Sequence, residues 1–456
     1  MNFSDFSSKR IHFSGIGGIS MNGLAMILHA WGYRVTGSDK TDSPLIAHLR
    51  ELGIPVAIGT AGENVEGADL LVRTSAIKND HPEFLRAQEL GIPVMERGTL
   101  LGQIMQHYKE VFCVCGSHGK TTASSMLAYI LERAQKDPTI HLGGVLPLID
   151  SATKMGGTDY FVAEADEYTN SFLRFFPTFA VLLNIDLDHL DFFKDIDDVE
   201  HSFARFVSLL PKSGHALGNG DDGRVRRVLA SAPCPAETFG FADDLDWQAR
   251  EIAGEDGRYA FSLFHHGEKL CRVKLAIFGR HHIMNATAAL AAASYAGVEP
   301  SLAAAFLADY QGAHRRFEDM GSCAGAEVYH DYAHHPTEVR ATITAAREMT
   351  KGRLLCVFQP HTYSRTHTLF DAFTQAFDHA DQVVLVDIYA AREKDTGLVH
   401  SRDLARAIQD RGQAKAVYAA SFREAADWVR AWARPGDVIL TMGAGDIEQI
   451  NPMLVE

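Results

Sequence analysis

Gly116-Ser117-His118-Gly119-Lys120-Thr121-Thr122 is the stretch whose reading decides the fold. Before it runs the apolar segment Val111-Phe112-Cys113-Val114-Cys115, which predicts a buried strand, and after it Ala123 to Arg133 predicts a helix. Strand, glycine turn, Lys-Thr and helix together describe a phosphate-binding loop, in which turn amides and the helix N-terminus offer N–H donors to an anion. Lys120 is placed to reach β- and γ-phosphates, and the Thr121 hydroxyl to ligate Mg²⁺. The match is to a short G-x-x-G-K-T-T form, because Val114 stands where the commoner pattern has its first glycine. The bland alternative is an ordinary strand-to-helix turn.

Working outward, a second glycine loop lies near the N-terminus. Ile11-His12-Phe13 predicts a strand, followed by Ser14-Gly15-Ile16-Gly17-Gly18-Ile19-Ser20, a helix from about Met21 to Trp31, and a strand from Tyr33 to Thr36 leading into Gly37-Ser38-Asp39. This is the opening βαβ of a doubly wound domain, with Asp39 about where a ribose-binding acid belongs. Ser20 fills the third glycine position, so the dinucleotide fingerprint is imperfect. A packing turn, a nicotinamide site and a different nucleotide-linked ligand all remain open on these residues alone.

Composition narrows the classes. A chain of 456 residues suggests three domains. A hydrophobic fraction of 46% supports ample cores, and the longest apolar runs fall short of a membrane span. Met1 to Arg10 lacks the apolar centre of a secretory signal. Cys113, Cys115, Cys234, Cys271, Cys323 and Cys356 include no C-x-x-C pair and read as reduced residues of a cytoplasmic protein. A net charge of −15 argues against a nucleic-acid binder, so anionic ligands must be held by local amides, Lys and Arg.

Short strands alternate with helices along most of the chain. Val56-Ala57-Ile58, Leu70-Leu71-Val72 and Pro93-Val94-Met95 belong to a first unit, in which Leu-Gly-Ile-Pro at 52–55 and 90–93 ends a helix and starts a strand. Tyr160–Ala163 and Ala180–Leu183 are buried strands of a second unit, whose residues from about 212 to 278 turn β-rich and irregular. Helices at Asn285–Ala296 and Ser301–Asp309 close it. A third unit carries strands at Leu354–Phe358, Val383–Val386 and Val438–Leu440. Such alternation implies largely parallel sheets.

Acids and a histidine gather where strands of the second unit end. Glu164-Ala165-Asp166-Glu167 follows one strand, and Asn184-Ile185-Asp186-Leu187-Asp188-His189-Leu190-Asp191 follows the next. Parallel sheets bind ligands beyond their carboxyl ends, which is where the phosphate loop sits. Glu164 and Thr121 suit a hard Mg²⁺ ion, and His189 suits a second site that also tolerates Mn²⁺. The bland alternative is a solvated acidic loop.

With these motifs the chain resembles the Mur ligases, ATP-dependent amide-forming enzymes of peptidoglycan precursor synthesis, over essentially its whole length. The resemblance rests on Gly15–Gly18, Gly37–Asp39, Thr74–Ile77, Gly116–Thr122, Glu164–Glu167, Asp188–Asp191, Asn285–Thr287, Gly312–Phe317, Asp331–Glu338 and Phe358–Thr366. The first-domain glycines, His334–Glu338 and Gln359–Thr366 are more specific to the branch that adds a single L-alanine. The resemblance implies an α/β chain of three domains: a UDP-sugar-binding Rossmann-like unit at 1–107, a central P-loop ATPase domain with mainly parallel sheet at 108–312, and a C-terminal Rossmann-like unit at 313–456. It implies ATP and Mg²⁺ as cofactors and UDP-N-acetylmuramate and L-alanine as substrates, joined through an acyl phosphate. It leaves monomer and homodimer both open.

By the same resemblance, Gly116, Ser117, His118, Gly119, Lys120, Thr121 and Thr122 hold the ATP phosphates, with Lys120 neutralising the transferred charge. Thr121 and Glu164 hold one Mg²⁺ and His189 a second. Arg316 contacts the phosphates, Asp331 the ATP ribose, and His335 the acceptor carboxylate or phosphate. Arg316 alternatively belongs to a surface arginine pair, and His335 alternatively is structural. Gly15, Gly17, Gly18, Asp39 and Ser75 face the sugar nucleotide; His361, Tyr363 and Arg365 line the substrate mouth, where Arg365 could fork onto the amino-acid carboxylate. The family's paired asparagines near the adenine are reduced to Asn285, with His282 in the first place. The carbamylated lysine of several relatives is absent, since no lysine lies between Lys194 and Lys212. Rival readings are a nicotinamide oxidoreductase, a non-catalytic nucleotide-binding regulator, and a ligase that recycles a whole tripeptide.

Overall fold

The computed structural model describes residues 2–6, 9–74, 77–190, 192–395 and 397–455. Ser75 and Asp191 lie outside the described residues. Three sheets follow one another along the chain. The first is wholly parallel, with β1 (Arg10–Ser14), β2 (Arg34–Asp39), β3 (Val56–Ile58), β4 (Leu70–Arg73) and β5 (Val94–Glu96) in the order β3-β2-β1-β4-β5. The order reverses between β1 and β4, which puts the first glycine loop at the switch point where doubly wound sheets bind ligands.

The second sheet holds β6 (Glu110–Cys115), β7 (Thr139–Leu146), β8 (Ser151–Lys154), β9 (Tyr160–Ala165), β10 (Phe179–Leu182), β11 (His215–Asn219), β12 (Ala236–Gly240), β13 (Trp247–Glu255), β14 (Arg258–His265) and β15 (Glu268–Phe278). Their order is β15-β14-β13-β12-β11-β10-β6-β9-β7-β8. The strands from β13 back to β9 run parallel around β6, while β13-β14-β15 and β7-β8 are antiparallel. β6 is buried on both faces from Val111 onward, which explains its unbroken apolar run. The third sheet orders β16 (Glu318–Cys323), β17 (Ala326–Asp331), β18 (Leu354–Phe358), β19 (Gln382–Leu385), β20 (Lys415–Tyr418) and β21 (Val438–Met442) as β16-β17-β21-β18-β19-β20, with only β16 antiparallel.

Local chemistry matches the expected boundaries with small offsets. Gly53 and Gly91 each follow a helix at positive φ, +87° and +68°, as the two Leu-Gly-Ile-Pro segments require. The helix after the phosphate loop starts at Lys120 and not Ala123, because Gly119 already caps it. All six cysteines are free. Among the described residues no helix is long and apolar enough to cross a membrane.

One continuous core joins the first sheet to one face of the second, through Leu24, Leu28, Leu101 and Met105 on one side and Cys113, Phe161 and Phe172 on the other. Gly23, on the helix Ile19–Ala30, lets that helix approach β8: a Cβ there would lie 2.1 Å from Thr153 Oγ1. Beneath the first glycine loop sits a polar knot. Glu83 is fully buried, accepts from the Ser14 hydroxyl and from Asn64 Nδ2 at 2.7 Å, and faces the buried His12 at 3.9 Å. Burial alone would raise the Glu83 pKa; hydrogen bonds from His12, Ser14, Ser38 and Asn64 outweigh it and hold the pKa at about 2 against 4.5. A carboxyl depressed in the fold stabilises above its unfolded pKa and loses that contribution as pH falls through the folded value, here on the order of 3 kcal/mol between pH 4.5 and 2. Glu83→Gln should therefore be less stable to urea at neutral pH, with the gap to wild type narrowing below pH 4.5. A gap independent of pH would contradict the ionised knot.

Candidate active site

The phosphate loop is built between two strand ends. β6 delivers Gly116, and β10, its parallel neighbour, delivers Asn184 beside it. The Asn184 side chain brackets His118, accepting its N–H at 2.8 Å and donating to its carbonyl at 2.9 Å. Ser117 Oγ donates to the Asp186 carbonyl at 2.9 Å and accepts from the Asp186 N–H at 2.8 Å. Gly119 has φ +82°, and a Cβ there would lie 2.8 Å from Asn285 Oδ1, so only glycine fits. Thr121 and Thr122 follow in the first helical turn, both buried.

Lys120 folds back across the loop. Its ammonium donates to the carbonyls of Gly116 at 2.8 Å and Ser117 at 3.2 Å, and to Glu167 at 2.9 Å. Burial opposes the charge, but Glu167 and Asp166 outweigh it and raise the Lys120 pKa. Glu167 is 1% exposed, and its own pKa is raised by burial against the pull of Lys120. The carboxylate oxygens of Asp166 and Glu167 and a ring nitrogen of His189 lie within 4.8 Å of one another, a spacing that can hold a cation. Glu164 forms a separate group. Its carboxylate accepts from Thr121 Oγ1 at 3.2 Å, Ser124 Oγ at 3.4 Å and the Gly143 N–H at 2.7 Å. Burial raises its pKa against that N–H and Arg316. Glu164 and His189 thus belong to two neighbouring clusters.

The third unit closes over this surface. Arg316 Nη2 donates to Thr121 Oγ1 at 3.2 Å. His335 caps the helix Pro336–Met349: its Nδ1 accepts from the Thr337 N–H, and its Nε2–H donates to the Leu187 carbonyl at 3.3 Å. The cap falls immediately before Pro336. His118 lies between two carboxylates, Asp186 at 3.0 Å and Glu338 at 3.3 Å. Burial disfavours its charge, but those two acids outweigh burial and hold its pKa up at about 9, so both ring nitrogens donate. Arg365 directs Nε and Nη2 at Asp188 Oδ1, at 3.0 and 2.7 Å, with both side chains less than a tenth exposed. Its Nη1 donates to His361 Nδ1 at 3.0 Å. In this arrangement the fork of Arg365 is engaged by a protein carboxylate.

A cavity of about 400 Å³ opens between the loop and the third unit. Gly119, Thr122, His282, Asn285, Arg316 and Asp331 line it. Asn285 Nδ2 donates to His282 Nδ1 at 3.3 Å, so part of the amide is already spent on the histidine. Asp331 accepts from the N–H groups of Phe317 at 2.8 Å and Ala333 at 2.7 Å, and burial lifts its pKa to about 6. Apolar walls with a few convergent polar groups suit a flat heterocycle and its sugar.

In the first unit Gly15, Gly17 and Gly18 form the turn from β1 into the helix Ile19–Ala30. Asp39 Oδ2 accepts the Gly17 N–H at 2.8 Å, tying the acid to the loop. Ser20 faces the second unit: Arg97 donates to its hydroxyl at 2.8 Å, and that hydroxyl meets His141 Nε2 at 2.8 Å. His141 stays neutral, its pKa lowered to about 3 by burial and by Arg97. Sequence reasoning missed Asn184, Glu167, Asp186 and Glu338 as partners of the loop, and Arg97 as the partner of Ser20. The acids stood inside quoted motifs; for Arg97 no local signal existed.

Three domain patterns of one family match in order: "Mur ligase family, catalytic domain" at residues 10–109, "Mur ligase middle domain" at 114–293 and "Mur ligase, glutamate ligase domain" at 315–445. The chain belongs to the Mur ligase family. It is 45% identical to the UDP-N-acetylmuramate–L-alanine ligase of Caldanaerobacter subterraneus, covering 98% of this chain and 97% of that one. It is 43% identical to the enzyme of the same name from Clostridium novyi, over 100% and 99%. Among solved structures, UDP-N-acetylmuramate-alanine ligase of Thermotoga maritima superposes with a TM-score of 0.83 at 25% identity over 98% of both chains. A murein peptide ligase from Psychrobacter arcticus does so with 0.74 at 25% identity, again over 98% of both.

Proposed function

We infer that this protein is an ATP-dependent ligase that joins L-alanine to the carboxylate of UDP-N-acetylmuramate in peptidoglycan precursor synthesis. The observation that carries the reading is the meeting, at one set of strand ends, of the phosphate loop, two carboxylate clusters and Arg316 from the third unit. A carboxylate is a poor electrophile, and phosphorylation gives it a leaving group. A carboxylate oxygen of the sugar attacks the γ-phosphorus and ADP departs. The neutral amine of L-alanine then attacks the acyl carbon, and inorganic phosphate leaves with the bridging oxygen.

The residues divide that work. Amides of Gly116–Thr122 and the start of the following helix cradle the phosphates, and Lys120 and Arg316 offset the charge that develops in transfer. His282, Asn285 and Asp331 take the nucleoside in the lined cavity. Gly15, Gly17, Gly18 and Asp39 face the diphosphate sugar. The donor chemistry fits Mg²⁺, with Mn²⁺ as a substitute: Thr121 and Glu164 offer hard oxygens 3.2 Å apart, and Asp166, Glu167 and His189 offer a second set. Bound there, the ion would screen charge between phosphate and carboxylate. The same reading divides the chain at 107/108 and 312/313 and places the enzyme in the cytoplasm as a monomer or homodimer.

Phosphate release measured with UDP-N-acetylmuramate and each amino acid in turn tests the reading. Release with L-alanine supports it; release only with a tripeptide would favour the recycling ligase, which the Psychrobacter arcticus superposition keeps in view. Glu164→Ala and His189→Ala should each raise the Mg²⁺ needed for half-maximal turnover and lower turnover itself. Their effects should be non-additive if the two clusters act on one phosphoryl group. Unchanged Mg²⁺ titrations in both variants would return these side chains to a solvated loop.

A further inference from the structure

At the far end of the second unit from the phosphate loop, two adjacent histidines turn toward one glutamate. Glu237 lies on β12, His265 ends β14, and His266 begins the turn after it. Adjacent residues on a strand point to opposite faces. Here His266 takes a left-handed backbone, φ +47°, and its ring comes to lie 4.0 Å from that of His265. His265 Nε2 is 3.5 Å from one Glu237 oxygen, and His266 Nε2 is 3.6 Å from the other. Those separations are long for hydrogen bonds. One ligand atom from each of Glu237, His265 and His266 lies within 4.8 Å of the other two, a spacing that one ion can span.

Two further observations point the same way. His265 Nε2 is buried and has no hydrogen-bond partner among the described residues, although it faces a carboxylate. The surroundings also resemble the outer support of a metal site. Trp247 Nε1 donates to Glu237 at 2.6 Å, and the Asp246 carboxylate lies on the Nδ1 side of the His266 ring, 3.6 Å away, leaving Nε2 toward Glu237. His266 remains 60% exposed, which leaves an entry path.

We propose that Glu237, His265 and His266 form a binding site for a divalent transition cation of the zinc class, with water completing the shell. Two imidazoles and one carboxylate favour such an ion over Mg²⁺. The ion would fasten β12 to the β13–β14 hairpin. The helix His282–Tyr295 connects this region to the nucleotide cavity: His282 lines the cavity, and Tyr295, a full helix of about 20 Å away, has its pKa raised by burial and by the nearby Glu237 carboxylate. The ion would serve the fold of the second unit and not the chemistry at the phosphate loop.

The test uses the full chain, stripped with chelator and then exposed to Zn²⁺ or Co²⁺ in excess Mg²⁺, which competes for the hard oxygen sites. Wild type should retain one equivalent of Zn²⁺ through dialysis, show the visible absorption of tetrahedral Co²⁺, and melt at a higher temperature with Zn²⁺. His266→Gln, at an exposed ring, should lose all three while keeping wild-type phosphate release in Mg²⁺. Glu237→Gln should lose the same equivalent. Equal Zn²⁺ retention in wild type and His266→Gln would overturn the proposal, as would a Co²⁺ spectrum abolished only by Glu164→Ala.

Discussion

Lys120→Ala is expected to lower turnover by at least ~10²–10³-fold, the usual cost of removing one preorganised charge donor from a reacting centre. The Lys120 ammonium is fixed by Gly116, Ser117 and Glu167 before any phosphate arrives, so little reorganisation is needed when charge develops. The variant should still fold. It leaves behind Glu167, a carboxyl 1% exposed whose pKa burial already raises and which then lacks the opposing pull of Lys120. Near-wild-type turnover in a variant with unchanged circular dichroism and melting temperature would remove Lys120 from the phosphoryl transfer.

Arg365→Ala should be the second large loss. Arg365 and Asp188 form a buried pair between the third and second units, with side chains 9% and 8% exposed. Burial by itself would raise the Asp188 pKa, but Arg365 together with His189, His334 and His335 outweighs it and drives it well below the ordinary carboxylate range. Deleting one partner leaves a buried charge uncompensated, which costs about 3–5 kcal/mol. That cost falls on the closed arrangement, so turnover should drop by ~10² or more, with Asp188→Asn similarly impaired. The double variant Asp188→Asn with Arg365→Met should regain melting temperature without regaining turnover. If Arg365 instead releases Asp188 to grip the amino-acid carboxylate, Arg365→Ala would raise KM for L-alanine and leave kcat little changed. Asp188→Asn would then be mild. A split of KM against kcat therefore separates clamp from substrate contact.

The parts of the fold legible in the sequence are those where one short segment carries its own reason. Val111–Cys115 is apolar throughout because both faces of β6 are covered, and the glycines after it have nowhere else to turn. Gly15 to Asp39 reads as a βαβ unit for the same reason, although Asp39 proves to be tied to Gly17. Residues 212–278 were readable only as β-rich. Its last three strands, β13 to β15, pair antiparallel with bulges, so their faces mix and the alternation blurs. The site was legible as motifs and not as contacts. His118 meets Glu338 across 220 residues and Arg365 meets Asp188 across 177, and both contacts exist only because one unit closes on another. Ser20, an apparent defect in a glycine fingerprint, is a polar bridge from Arg97 to His141. No pattern within twenty residues of it announces that use.

The acyl phosphate is the centre of the account, because it alone gives the phosphate loop, the carboxylate clusters and the glycine loop of the first unit a joint purpose. Label the muramoyl carboxylate of UDP-N-acetylmuramate with ¹⁸O, supply ATP, Mg²⁺ and L-alanine, and analyse the released inorganic phosphate by mass. One labelled oxygen should appear in it, since the carboxylate oxygen that attacked phosphorus leaves with the phosphate. Unlabelled phosphate, with all of the ¹⁸O kept in the amide product or the sugar, would contradict the mechanism.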